Sequence, residues 1–135
     1  MKASWPTTMA MLACFLATAG FADDRDLYDL LKEKPYHAAW DAMLKGEKKV
    51  DRWIVTFGKT GDGVVDKVKT VTVDGQNDTL GWVCQPHECG NQLYVLFAPD
   101  ASAAWGMLVT DKGSRFLGAP SEPIKAALTK ASKQQ

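Results

Sequence analysis

The stretch LGWVCQPHECGNQLYVLF, residues Leu80 to Phe97, decides how this chain is read. Leu80, Trp82 and Cys84 alternate along one strand, and Leu93, Val95 and Phe97 recur at the same period on the far side. Alternation at period two is the mark of a half-buried strand. Between the two strands lies Cys84-Gln85-Pro86-His87-Glu88-Cys89-Gly90, too rich in turn formers to continue either one. Two adjacent strands joined by a short polar connection place the chain among antiparallel sheets.

Outward from this pair the same period continues. Trp105, Met107 and Val109 make a further strand, reached through Pro99 to Ser102. Asp111-Lys112-Gly113 then turns the chain toward a short Arg115 to Leu117 segment. Upstream, Val64 to Val73 is rich in Val and Thr and reads as one long strand, with a slip of parity between Lys69 and Val71 that predicts a bulge. Asp74-Gly75 and Asn77-Asp78 mark the turn that follows it. Val50 to Phe57 also alternates, with Trp53, Val55 and Phe57 on one side and Arg52, Ile54 and Thr56 on the other, and is expected to be the first strand.

Helices are expected at both ends. Leu27, Leu30 and Leu31 have helical spacing, with Asp23 or Asp24 placed to cap them. Pro35 opens a second helix whose apolar stripe is Tyr36, Ala39, Trp40, Met43 and Leu44, ending at Gly46. Ser121-Glu122-Pro123 starts a last one, with Ile124, Ala127 and Leu128 as its apolar side. The expected fold class is α+β: a single domain with an antiparallel sheet of about five strands and flanking helices that bury one face of the sheet.

The N-terminus is read as a cleaved export signal. Lys2 precedes an apolar run from Met9 to Ala19, and Gly20-Phe21-Ala22 leads into Asp23-Asp24. Cleavage after Ala22 is expected, although Ala17-Thr18-Ala19 also satisfies a small-x-small rule. Residues 1–22 are therefore assigned as the signal peptide and 23–135 as the domain, with the periplasm as the destination. The run is too short to span a bilayer comfortably. A lipoprotein reading through Cys14 would strand the apolar Phe15 to Ala19 behind the lipidated residue. Cleavage removes Cys14 and leaves Cys84 and Cys89, which in an oxidising compartment pair as one disulfide.

Charge adds exclusions. The full chain carries 16 basic and 16 acidic side chains, with no basic stripe for nucleic acid and no polybasic amphipathic helix for a membrane surface. Phe57-Gly58-Lys59-Thr60 resembles the end of a phosphate loop, but the glycine required five residues earlier is Trp53. No serine stands in a Gly-x-Ser-x-Gly elbow, and the acids are scattered through turns and helix ends. Trp40, Trp53, Trp82 and Trp105 all fall on apolar stripes or alternating strands, so they are assigned to the core. His37 is assigned a structural role. No catalytic residue, metal or cofactor is named.

Several readings of Cys84 to Cys89 stay open from the residues alone. Cys84, His87 and Cys89 form a three-ligand metal set, although the paired Cys-x-x-Cys spacing of zinc modules is missing. A redox centre would need Cys-x-x-Cys beside a helix. A plain staple with an incidental histidine is the third reading. The fourth is a stiff knob: a six-residue disulfide ring is worth about 2 kcal/mol in loop entropy, Pro86 fixes a further angle, and His87 is carried near the apex. Stiffness on a protruding loop lowers the cost of binding a concave partner.

At this loop the chain resembles the Ivy family, the bacterial inhibitors of vertebrate lysozyme. Their Cys-Lys-Pro-His-Asp-Cys loop followed by glycine is matched by Cys84 to Gly90, with Gln85 for the usual lysine and Glu88 for the usual aspartate. The resemblance implies that Gln85, Pro86, His87 and Glu88 form an inhibitory loop closed by Cys84–Cys89. It further implies that His87 enters the cleft of c-type lysozyme between the two catalytic carboxyl groups, and that the protein is not an enzyme. Lytic transglycosylases of the bacterium itself are a second target class in this reading. A homodimer is left open, because the family contains both monomers and dimers.

Overall fold

A computed structural model describes residues 23–134; the expected signal peptide and its cleavage site lie outside the described residues. The chain runs α1 (Leu27–Leu31), α2 (Lys34–Lys45), α3 (Arg52–Thr60), β1 (Val64–Val65), β2 (Lys69–Val73), β3 (Gln76–Gln85), β4 (Glu88–Phe97), β5 (Ala104–Thr110), β6 (Gly113–Leu117) and α4 (Glu122–Ser132). All strand pairs are antiparallel, and each strand lies beside its chain neighbour or shares its edge. Strands grouped in sequence, with helices outside the run, make the fold α+β.

α1 begins one turn later than expected. Asp26, not Asp23 or Asp24, is its cap: the Asp29 amide donates to Asp26 Oδ1 at 2.9 Å, and the Asp26 amide donates to Asp29 Oδ2 at 3.1 Å. This reciprocal pair is available only at that spacing. Asp23 instead meets Arg25, and Asp24 meets Lys67. α2 starts with Pro35 in its first turn and ends at Gly46, and it buries Ala39, Trp40 and Met43.

The segment expected as a first strand is a helix. In α3, Ile54, Phe57 and Gly58 are the buried residues, a spacing of three and four that belongs to one helical face. Ile54, which alternation placed outside, is fully buried, and Val55, which alternation placed inside, is 38% exposed. The β-branched run Ile54-Val55-Thr56 satisfies strand propensity as well as it tolerates a helix, so packing decides. The partners that decide it are Tyr28 of α1 and Trp40 of α2, whose rings both meet Phe57. A Cβ on Gly58 would stand 2.6 Å from Trp40 Nε1, and only a glycine lets the indole lie on the helix. Gly61, with φ of 75°, ends α3 in the left-handed conformation. Gly58→Ala is expected to lose about 1–3 kcal/mol of stability by overpacking this contact, read as a lower denaturant midpoint.

The long strand expected over Val64 to Val73 is two strands. β1 pairs with Cys84 and Val83, and β2 pairs with residues 76–80, so both lie along one edge of β3. Between them the chain leaves the sheet. The Val68 amide donates to Arg25 O at 2.8 Å, and Lys67 bridges to Asp26. The expected slip of parity is thus a full break, filled by the N-terminal segment. The six strands occupy five positions across the sheet. The turn after β2 is Asp74-Gly75, both at positive φ, with Val73 opposite Gln76. Asn77-Asp78 belongs to β3 and not to the turn.

Both faces of the sheet are covered, where one was expected. Leu93, Val95, Phe97 and Val83 face the cluster formed by α1, α2 and α3. Tyr94, Leu96 and Met107 pack with Ile124 and Leu128 of α4 on the opposite face. β4 is apolar at both parities, so neither of its faces can be left to water. Trp82 and Trp105 sit on the α4 side, whereas Trp40 and Trp53 belong to the other cluster.

One buried carboxyl stands out. Asp78 is 3% exposed and pairs across the sheet with Val71 beside the α4 cluster. Burial pushes its carboxyl above the ordinary range. A folded value raised above the unfolded one means that the protonated form is favoured on folding. That contribution is present below the unfolded value and is lost as pH rises through the folded one. Asp78→Asn is therefore expected to raise Tm at pH 7 and to leave it nearly unchanged near pH 3, in thermal unfolding at both values.

Candidate functional site

β3 and β4 meet at the connection that the sequence singled out. Gln85 pairs with Glu88, so Pro86 and His87 are the two central residues of the turn. The tight turns usual in hairpins need positive φ at the first central residue, which proline cannot adopt. The positive angle moves to the second, and His87 has φ of 65°. That is the pattern of a type II turn, with proline first and a left-handed residue second. His87 and Glu88 are exposed, while Gln85 and Pro86 are half-buried. Pro86 thus dictates the unusual backbone of the histidine beside it.

Beneath the turn the two strands fall out of register. Gln85 faces Glu88, but the next pair is Cys84 with Gln92. Cys89, Gly90 and Asn91 have no cross-strand partner in β3, and pairing with β5 begins only at Gln92. Residues 85–91 therefore form a tip beyond the end of the regular sheet. Cys84 and Cys89 close it with a disulfide, Cα to Cα 4.9 Å. Cys84 is fully buried and Cys89 exposed, so the bond ties the tip to the core.

Side-chain hydrogen bonds add to the covalent tie. Asn91 Nδ2 donates to Gln85 Oε1 at 2.8 Å and lies 3.5 Å from Glu88 Oε2. At the base, Gln92 Oε1 accepts from Trp82 Nε1 at 3.0 Å and from the Tyr94 hydroxyl at 2.8 Å. Burial pushes the Tyr94 phenol above its ordinary value, which keeps it a donor. Asn91 and Gln92 escaped the sequence reading, because an Asn-Gln pair at the start of a strand has no periodicity or spacing that marks it.

The tip stands between two open depressions. One, of about 850 Å³, runs past Lys49, Asn91, Thr110, Lys112 and Arg115. The other, of about 330 Å³, is lined by Arg52, Trp53, Thr56, Asp62, Gln85 and Pro86.

The remaining readings lose their chemistry. Cys84 and Cys89 are bonded to each other, so the metal set with His87 has no free thiolate, and the four-residue spacing offers no redox pair beside a helix. Among the described residues no three metal-ligating side chains converge. His37 links the first two helices: its Nδ1 lies 3.0 Å from Leu31 O, and its Nε2 lies 3.4 Å from Asp41 Oδ2. Lys59 and Thr60 end α3 and hold no phosphate cradle.

Comparison with known proteins identifies the family. A family model described as inhibitor of vertebrate lysozyme (Ivy) matches residues 35–134. A Pseudomonas aeruginosa protein named inhibitor of vertebrate lysozyme is 33% identical over 120 residues, covering 85% of this chain and 76% of its own length. An uncharacterised protein of Yersinia pestis is 33% identical over 115 residues, covering 75% and 72%. With a family model that spans helices, sheet and tip together, the chain belongs to the Ivy family of lysozyme inhibitors, not to a family of enzymes.

Proposed function

We propose that this protein inhibits c-type lysozyme by placing the tip Gln85 to Glu88 in the active-site cleft, with His87 between the two catalytic carboxyl groups. The observation that carries the reading is the exposed histidine at positive φ on the apex of a disulfide-closed tip. A retaining glycosidase holds its carboxyl groups about 5 Å apart, and a protonated imidazole offers two N–H donors pointing in different directions. His87 blocks the site as a plug and needs no likeness to a sugar. Glu88, also exposed, accepts donors from the cleft rim.

Two flanking carboxyl groups favour the protonated imidazole, so binding takes up a proton. Affinity is expected to tighten as pH falls from 8 to 6. Calorimetric titration in buffers of different ionisation enthalpy reads that proton directly, and an affinity flat across this window would remove the electrostatic part of the reading.

Export to the periplasm belongs to the same proposal, since the disulfide needs an oxidising compartment. Mass analysis of the protein from a periplasmic extract is expected to show a chain that begins at Asp23. Inhibition itself is tested by lysozyme turnover against increasing protein, with a g-type lysozyme as control. Absence of dose-dependent inhibition of the c-type enzyme overturns the reading.

A further inference from the structure

We propose that Asn91 is a positioning residue for His87, and that Gln85 acts as its internal acceptor rather than as a contact for the partner. The inference rests on the reading of the tip as the inhibitory element. The register jump leaves Cys89, Gly90 and Asn91 as a bulge between the Gln85–Glu88 pair and the Cys84–Gln92 pair, so this leg of the tip is held less regularly than the rest of β4. The disulfide fixes that leg at Cys89 alone. Gly90, exposed and with open space where a Cβ would stand, adds no constraint of its own. A further restraint is the bond from Asn91 Nδ2 to Gln85 Oε1, 2.8 Å long, which joins the two legs of the tip at the residue before Pro86.

The orientation of the amide is settled by its second neighbour. Glu88 Oε2 lies 3.5 Å from the same nitrogen, and a carboxylate can only accept. The NH₂ end of Asn91 therefore faces both oxygens, and Gln85 must present its carbonyl. A lysine at position 85 carries only donors and cannot accept from Asn91 Nδ2 as Gln85 does. Gln85 exchanges a free positive charge for stiffness, and the side chain is occupied within the tip before a partner arrives.

A neutral hydrogen bond of this kind contributes about 0.5–1.5 kcal/mol, which corresponds to about three- to tenfold in affinity when it is spent on pre-organisation. Four proteins test the proposal: Asn91→Ala, Gln85→Leu, the double variant, and Gln85→Glu, which keeps an acceptor. In the free protein, amide exchange at His87 to Gly90 is expected to quicken in the first three and to stay slow in Gln85→Glu, with Tm little changed in all. Lysozyme inhibition is expected to weaken by about three- to tenfold in Asn91→Ala and in Gln85→Leu, with no further loss in the double variant, and to be kept in Gln85→Glu. In a His87→Ala background, Asn91→Ala is expected to have no further effect on inhibition. Unchanged exchange in Asn91→Ala, or fully additive losses in the double variant, would overturn the clamp. If the parent protein inhibits no c-type lysozyme, the functional reading falls, and the exchange rates alone then decide whether Asn91 holds the tip.

Discussion

His87→Ala is expected to weaken inhibition of c-type lysozyme by at least about 2 kcal/mol, the loss typical of a central hot spot and roughly thirtyfold in affinity. The substitution removes both N–H donors and leaves two buried carboxyl groups of the enzyme without them, so the cost exceeds that of the lost contact area. His87→Gly separates function from fold more sharply. His87 holds φ of 65°, a conformation that costs a residue with a Cβ about 1–2 kcal/mol and glycine almost nothing. Glycine should therefore raise the denaturant midpoint while abolishing most of the inhibition. Turnover assays and chemical unfolding on the same three proteins check both signs. Inhibition by His87→Ala equal to that of the parent would sink the plug.

Trp40→Ala is expected to cost about 3–5 kcal/mol of stability, the range for removing a large aromatic from a core. Trp40 is 2% exposed, lies on Gly58 of α3, and meets Phe57 with ring centroids 5.9 Å apart. Its loss opens a cavity between two helices that have few other ways to close. Against a total stability of about 5–15 kcal/mol, this is enough to unfold much of the protein at 37 °C. The inhibition constant of the fraction that remains folded should not move, because Trp40 belongs to the helical layer and the tip is anchored through β3 and β4. Unfolding curves and active-site titration of lysozyme measure the two quantities separately. A small loss of stability would mean that α2 and α3 hold together without the indole.

Local chemistry made much of this protein legible. The tip could be read residue by residue: two cysteines at short spacing, a proline that restricts the turn, and a histidine next to it. α2 and α4 followed from Pro35 and Pro123 at helix starts and from stripes of the right period. In β5 the recurrence of Trp105, Met107 and Val109 between turn residues was enough to find the strand, although Leu108 on the other parity is buried as well. Reading failed where two periods fitted one run. Trp53-Ile54-Val55-Thr56-Phe57 alternates and is also amphipathic at 3.6; β4 was read correctly as a strand, but its second apolar parity, Tyr94 and Leu96, was passed over.

By itself, then, the sequence determined the antiparallel order of the central strands, the helices at either end, and a rigid loop with His87 beside Pro86, because turn residues and proline act over only a few bonds. Tertiary structure decided the rest. Burial of Ile54 and Phe57 in the cluster between the helices and the sheet made α3 a helix, the second apolar face of β4 drew α4 across the sheet, and the register jump after Cys84 brought Asn91 to Gln85. Each of these depends on which surfaces meet, and residues far apart in the chain settle that together.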